Sequence, residues 1–189
     1  MKIGLAITGS FCTYAKILEQ VDLIISAGHK VVPIVSSAVK NFDTRFGKAS
    51  EFINALEEKT GEKVIYDIVG AEPLGPSNAF EVLAIAPCTG NTLAKIATGI
   101  SDDAVTMASK AHMRNYKPLV IAISTNDALG LNLKNIATLL NEKKVYFVPF
   151  KQDDPVKKPK SMIADLDLLM PTIESAIKGE QIQPIILQG

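Results

Sequence analysis

"VLAIAPCTGNTLAKIATGISDD", Val82 to Asp103, decides how the rest of the chain is to be read. The apolar run Val82 to Ala86 reads as a buried strand. It meets Pro87 and gives way to Cys88, Thr89, Gly90, Asn91 and Thr92, with a helix predicted over roughly Thr92 to Thr98. A strand, a small polar loop and a helix form the unit from which parallel sheets are built. The loop holds few groups for acid–base chemistry at neutral pH. Its short side chains suit a surface where backbone comes close to a ligand.

The same unit recurs on either side. Lys2 to Thr8 reads as a strand ended by Gly9-Ser10. Tyr14 to Ala27 then places Ile17, Leu18, Val21, Ile24 and Ile25 on one helical face, and Gly28 supplies the stop. Lys30 to Val35 is a second strand, halted by Ser36-Ser37, and Gly47 to Thr60 an amphipathic helix closed by Gly61. Lys63 to Asp67 is predicted as strand three. Ile68 to Phe80, with Gly70, Pro73, Gly75 and Pro76, is predicted as a loop. Leu119 to Ser124 and Val145 to Val148 complete the strands. Helices are expected over Asp103 to Arg114, Asn132 to Asn141 and about Ile163 to Lys178. Lys151 to Ser161 is polar and proline-broken, and is expected to form a mobile flap. The pattern predicts one α/β domain over 1–189. Its core is a doubly wound, Rossmann-like parallel sheet of about six strands with helices on both faces.

Composition narrows the function. Of 189 residues, 47% are hydrophobic and 21% charged, as in an ordinary globular domain. Twenty basic residues balance twenty acidic ones, so no net field draws the chain to nucleic acid or a membrane. The start Met1-Lys2-Ile3-Gly4 lacks a signal-peptide pattern. No apolar stretch approaches the roughly 20 residues that span a bilayer. Cys12 and Cys88 make no disulfide framework. His29 and His112 form no cluster with them, so no metal site is expected.

In doubly wound sheets, ligands sit beyond the carboxyl ends of strands where the strand order reverses. With the order 3-2-1-4-5-6, the crevice lies between Gly9-Ser10-Phe11 and Pro87 to Thr92. A dinucleotide is disfavoured. Thr8-Gly9-Ser10-Phe11-Cys12 lacks the G-x-G-x-x-G spacing, and strand two ends in Ser36-Ser37 rather than an acid. A mononucleotide fits better, because one phosphate needs helix-terminal amides and hydroxyls. Ser10, Ser36, Ser37, Thr89 and Thr92 offer the hydroxyls, and Asn91 offers a donor and an acceptor for a flavin edge. Taken singly, these residues are equally well explained as turn and N-cap residues. Their concentration argues for a ligand.

Pro87-Cys88-Thr89-Gly90-Asn91-Thr92 resembles the Pro-Ala-Ser-Ala-Asn-Thr signature of the flavoprotein superfamily that contains the homo-oligomeric flavin-containing cysteine decarboxylases. Leu93 to Asp103 and Thr8-Gly9-Ser10 fit as well, and the likeness runs from Met1 to about Phe150. Cys88, Thr89 and Gly90 replace the small residues of the signature. Within the superfamily the chain is similar to the B-subunit family of dipicolinate synthases. That likeness rests on Asp43-Thr44-Arg45-Phe46-Gly47, Ile68 to Pro76, Ser124 to Gly130 and Lys158-Pro159-Lys160-Ser161-Met162.

The resemblance implies bound FMN, with Gly9, Ser10, Ser36, Pro87, Thr89, Asn91 and Thr92 as the cofactor site. It also implies a homo-oligomer, and as partner the dehydrogenase-like A subunit of dipicolinate synthase, through which NADP could enter. Its setting would be the cytoplasm of the mother cell in a spore-forming bacterium. The reaction implied is that of an oxidoreductase, converting dihydrodipicolinate or its hydroxytetrahydro precursor to dipicolinate. A small dicarboxylate substrate calls for donors, and Arg45 and Asn126 are the candidates. A solvated Arg45 and a turn-forming Asn126 fit the residues equally well. No catalytic residue is assigned. Cys88 has no base near it in sequence, and the decarboxylases' histidine is missing from Ile68 to Phe80. The alternatives are a decarboxylase or prenyl-flavin enzyme, and a non-catalytic partner of the dehydrogenase-like chain.

Overall fold

The structure, a computed structural model, describes residues 1–188. In chain order its elements are β1 (Lys2–Ile7), α1 (Tyr14–Ser26), β2 (Lys30–Val35), α2 (Ser37–Asn41), α3 (Ala49–Thr60) and α4 (Ile68–Ala71). They continue with β3 (Val82–Cys88), α5 (Gly90–Ala97), α6 (Ala104–Arg114), β4 (Leu119–Thr125), α7 (Leu133–Leu140) and β5 (Val145–Phe147). The last are β6 (Phe150–Lys151), β7 (Met162–Ala164) and α8 (Leu169–Lys178).

Seven strands form one sheet in the order β2-β1-β3-β4-β7-β6, with β5 also on β4. β2, β1, β3, β4 and β5 run parallel, with Leu5 opposite Pro33 on one side and Ala84 on the other. Every residue of β3 is buried, as expected of a strand covered on both faces. α1 packs with α3 and α8, and α5 with α6 and α7. The core between them holds Ile3, Leu5, Ile17, Ile24, Leu83 and Phe147, all essentially inaccessible to water. Two of the stops read from sequence take the left-handed conformation glycine favours, at Gly28 (φ 82°) and Gly61 (φ 68°).

Three expectations need correction. Lys63 to Asp67 forms no strand: Ile65 makes a single bridge to Ile34, after which Asp67 caps α4 by accepting from the Gly70 amide at 2.8 Å. The order 3-2-1-4-5-6 therefore survives with its third strand reduced to one residue. The loop read over Ile68 to Phe80 contains α4 and a 3₁₀ turn at Glu72–Leu74. The last helix begins at Leu169, because Met162–Ala164 is drawn into antiparallel pairing with Ser124 and Thr125 of β4 and with β6. β5 and β7 thus share the outer edge of β4, β5 along its first half and β7 at its carboxyl end.

α6 shows how local chemistry sets an element's start. Asp103 accepts from the Thr106 amide at 2.9 Å, and the Thr106 hydroxyl accepts from the Asp103 amide at 3.1 Å, a reciprocal cap. Asp103→Ala is expected to lower stability by about 1 kcal/mol, read as a lower urea midpoint at unchanged slope. An unchanged midpoint would show the cap to be idle.

Candidate functional site

β1 and β3 end side by side and feed helices on opposite faces, which opens a crevice at their carboxyl ends. One side chain ties the two ends together. The buried Thr8 hydroxyl donates to the Pro87 carbonyl at 2.7 Å and accepts from the Thr89 amide at 2.9 Å. β3 carries one extra residue between Ile85 and Cys88 where it pairs with β4. Pro87, with no N–H to donate, sits in that irregularity.

The crevice has a cavity of about 440 Å³. Gly9, Ser10, Thr89 and Gly90 form its inner wall, Ser124 to Asp127 its floor, and Asp153, Lys158 and Ser161 its outer side. These last residues belong to the loop between β6 and β7, so the segment read as a flap contributes to the cavity lining. Ser10 and Ser124 join their hydroxyls across the crevice at 2.7 Å. The Ser161 hydroxyl donates to Asn126 Oδ1 at 3.2 Å, which ties the flap to the end of β4.

The walls approach closely at two glycines, with little room at Gly9 and none at Gly90. A Cβ on Gly9 would lie 3.3 Å from the Ala38 Cβ and 3.6 Å from the Phe11 ring. On Gly90 it would lie 2.5 Å from Asn132 Nδ2 and 2.6 Å from Thr125 Oγ1. Beside Ala38, Ser36 is 5% exposed, and its hydroxyl is buried without a hydrogen-bond partner. An orphaned hydroxyl of this kind is costly unless something binds it.

The charged groups here are occupied. Lys158 Nζ lies 3.0 Å from Asp153, and the Ser161 hydroxyl and the Lys158 ammonium hold the Asp153 carboxyl below the usual carboxylate range. Asp127 accepts from the Leu131 amide at 3.2 Å and so closes the turn before α7. Cys88 is fully buried with its thiol toward the Thr89 carbonyl, and burial raises its pKa, so it is no nucleophile. Both histidines lie at the far, amino-terminal ends of the strands. His29 Nδ1 is 3.2 Å from the Met1 amine and His112 Nε2 is 2.9 Å from the Pro118 carbonyl. Among the described residues, no group of three or more His, Cys, Asp or Glu could hold a metal ion, and no helix is long and apolar enough to cross a membrane.

The sequence-derived site residues fall into three groups. Gly9, Ser10, Thr89 and Asn126 line the cavity together. Ser36 stands behind its wall, Pro87 spends its carbonyl on Thr8, and the buried Thr92 is bonded to Thr89 at 3.2 Å. Asn91 and Arg45 lie outside it. The exposed Asn91 lines a neighbouring hollow of about 500 Å³ beside Lys95 and Lys134, because one step along α5 swings the side chain off the crevice. Arg45 is exposed, its guanidinium 4.9 Å from the centre of the Phe46 ring. Sequence reading missed Thr8 as a latch, Gly90 as a contact glycine, and Ser124 and Ser161. Thr8 was visible as a polar residue ending an otherwise apolar strand, whereas Ser161 carried no local signal.

A hydroxyl-lined crevice at the reversal point of a doubly wound α/β sheet is the position where proteins of this class hold their ligands. The chain belongs to the Flavoprotein family, whose pattern matches residues 1–177. It is 46% identical over 188 residues to the B subunit of dipicolinate synthase from Bacillus subtilis (strain 168), covering 100% of this chain and 94% of the relative. The crystal structure of the B subunit of dipicolinate synthase from Bacillus halodurans C superposes with a TM-score of 0.91 at 44% identity, over 99% of this chain and 96% of that one. A more distant relative is the flavin prenyltransferase UbiX of Thermoplasma acidophilum, 29% identical over 149 residues, 74% of this chain and 81% of its own.

Proposed function

We propose that this chain is the flavin-holding B component of a dipicolinate synthase, working with a dehydrogenase-like A component. The observation that carries the reading is end-to-end likeness to the B subunit of a dipicolinate synthase at 46% identity. The substrate class is a dihydro- or hydroxytetrahydro-dipicolinate, the reaction an oxidation to the aromatic dicarboxylate, and the setting sporulation.

The residues fit FMN. The Ser10 hydroxyl, the close backbone at Gly9 and the Thr89 edge of the crevice, with the orphaned Ser36 hydroxyl behind the wall, suit one phosphate. When bound, FMN supplies a hydride acceptor. The chain itself orients and encloses. Thr8 fixes the two loops, Ser161 fastens the flap to Asn126, and Asp127 and Asp153 are committed to a turn and an ion pair. With the crevice acids so used and both histidines at the opposite ends of the strands, a decarboxylase reading loses its proton carrier. In a homo-oligomer, Asn91 would face outward from α5 toward a neighbouring copy.

Titration of the purified chain with FMN, followed by visible absorbance, tests the site. Tight uptake is expected, weakened about tenfold by Ser36→Ala and further by Asn91→Asp. Absence of uptake, or uptake untouched by both changes, would sink the FMN site. Dipicolinate formation that requires both components tests the role. Formation by the dehydrogenase-like component on its own would remove it.

A further inference from the structure

The loop Asp43 to Gly47 has no place in the crevice, yet it closes a second cavity on the far side of Phe11. This cavity measures about 260 Å³ and is walled by Phe11, Tyr14, Phe42, Phe46 and Phe52. Four of the chain's seven phenylalanines and one of its four tyrosines therefore meet at one spot, a concentration that core packing elsewhere does not need. Tyr14 and Phe52 are stacked with centroids 4.0 Å apart, and Phe11 is tilted against Tyr14 at 5.4 Å, so the inner wall is preformed. At the mouth, Phe42 and Phe46 stand 61% and 53% exposed.

Two further observations say what would fill it. Tyr14 lines the cavity, and its hydroxyl is buried with no hydrogen-bond partner; burial raises its pKa, so it stays a neutral donor. The loop at the mouth also presents a guanidinium, with Asp43 of the same loop spent on the Ala49 amide. Lys48 and Glu51 line the cavity, and the Arg45 guanidinium rests on the Phe46 ring. Flat rings stack on aromatic walls, an acceptor satisfies a lone phenol, and a guanidinium takes a carboxylate in two parallel bonds. A cavity of about 150 Å³ already admits benzene, so this one has room for a single substituted ring.

We infer that this aromatic cavity is a binding site for a planar, single-ring carboxylic acid, with Tyr14 donating to the ring or its carboxylate and Arg45 closing over the acid. That the acid is pyridine-2,6-dicarboxylate or its immediate precursor rests on the function proposed above; the ring-acid site rests on the cavity alone. Phe11 is the wall it shares with the Gly9 loop of the crevice. A ring held here is thus one side chain away from the crevice.

Calorimetric titration of the full chain in metal-free buffer tests this with pyridine-2,6-dicarboxylate, benzoate and the non-planar cyclohexanecarboxylate. Both planar acids are expected to bind, the dicarboxylate more tightly, and the non-planar acid about tenfold more weakly. Tyr14→Phe, which keeps the stacked ring, is expected to weaken the dicarboxylate about fivefold. Arg45→Ala, a change at an exposed position, is expected to weaken it about tenfold, with FMN uptake by both variants unchanged. Equal binding of planar and non-planar acids, parental affinity in both variants, or no heat at millimolar acid would each overturn the site. Failure of the parent chain to take up FMN would count against the function proposed above and not against this cavity.

Discussion

Thr8→Val removes about 3 kcal/mol of stability and opens the crevice. The loss has two parts: a buried hydrogen bond is gone, and the Thr89 amide is left without its acceptor inside the protein. Valine matches threonine in shape and sets a methyl group where the hydroxyl met the Pro87 carbonyl and Thr89 amide, so the loss reports chiefly the missing hydroxyl. That hydroxyl holds Pro87 and Thr89 against the end of β1, by bonds of 2.7 Å and 2.9 Å. Because Thr89 caps α5 and lines the cavity, release of its amide should also misplace the amino end of that helix. Urea unfolding gives the first effect and FMN titration the second. A valine variant as stable as the parent would mean that water or a shifted backbone replaces the latch.

The same residue shows what the sequence could and could not reveal. Strand and helix alternation was legible because β1, β2 and β3 are buried on both faces and read as unbroken apolar runs, and because Gly28 and Gly61 mark helix ends. That placed the reversal point correctly between the Gly9 and Thr89 loops. Lys63 to Asp67 misled because its apolar residues are as suited to an edge bridge as to a strand, and Asp67 was already committed to capping the next helix. β6 and β7 are two and three residues long and exist through pairing with the end of β4, so no local periodicity could announce them. Arg45 was chosen for its chemistry, on the assumption that every loop after a strand borders the same crevice. The loop after β2 turns away across α1 and α3, and carries Arg45 to the aromatic cavity. The aromatic residues of that cavity are spread from position 11 to position 52 with no common period. Only the packing of α1 on α3 brings them together.

Acid should destabilise this protein well before its carboxylates titrate, and His112 is the reason. Its ring is 6% exposed inside α6, and Nε2 donates to the Pro118 carbonyl at 2.9 Å. The same carbonyl accepts from the Leu83 amide at 3.1 Å, so the histidine helps join the end of α6 to the start of β3. Burial, aided by the positive charge of Lys117 and opposed by the Pro118 carbonyl, lowers its pKa from 6.5 to about 4. The unfolded chain takes up a proton at its ordinary pKa, while the folded chain resists until about 4. Between those values the unfolded state binds more protons, so stability is full above pH 6.5 and falls as the pH drops toward 4. The whole interval is worth about 3 kcal/mol, of which about 2 kcal/mol is lost by about pH 5. Carboxylates held low by their partners, such as Asp102 beside Lys95, give way only at lower pH, which leaves the window to the histidine. Urea midpoints at about pH 7.5 and about pH 5 should therefore diverge in the parent chain and converge in His112→Gln, whose amide keeps a donor but takes no proton. If the glutamine variant shows the parental drop, the acid sensitivity belongs to other groups and His112 is already charged in the folded protein.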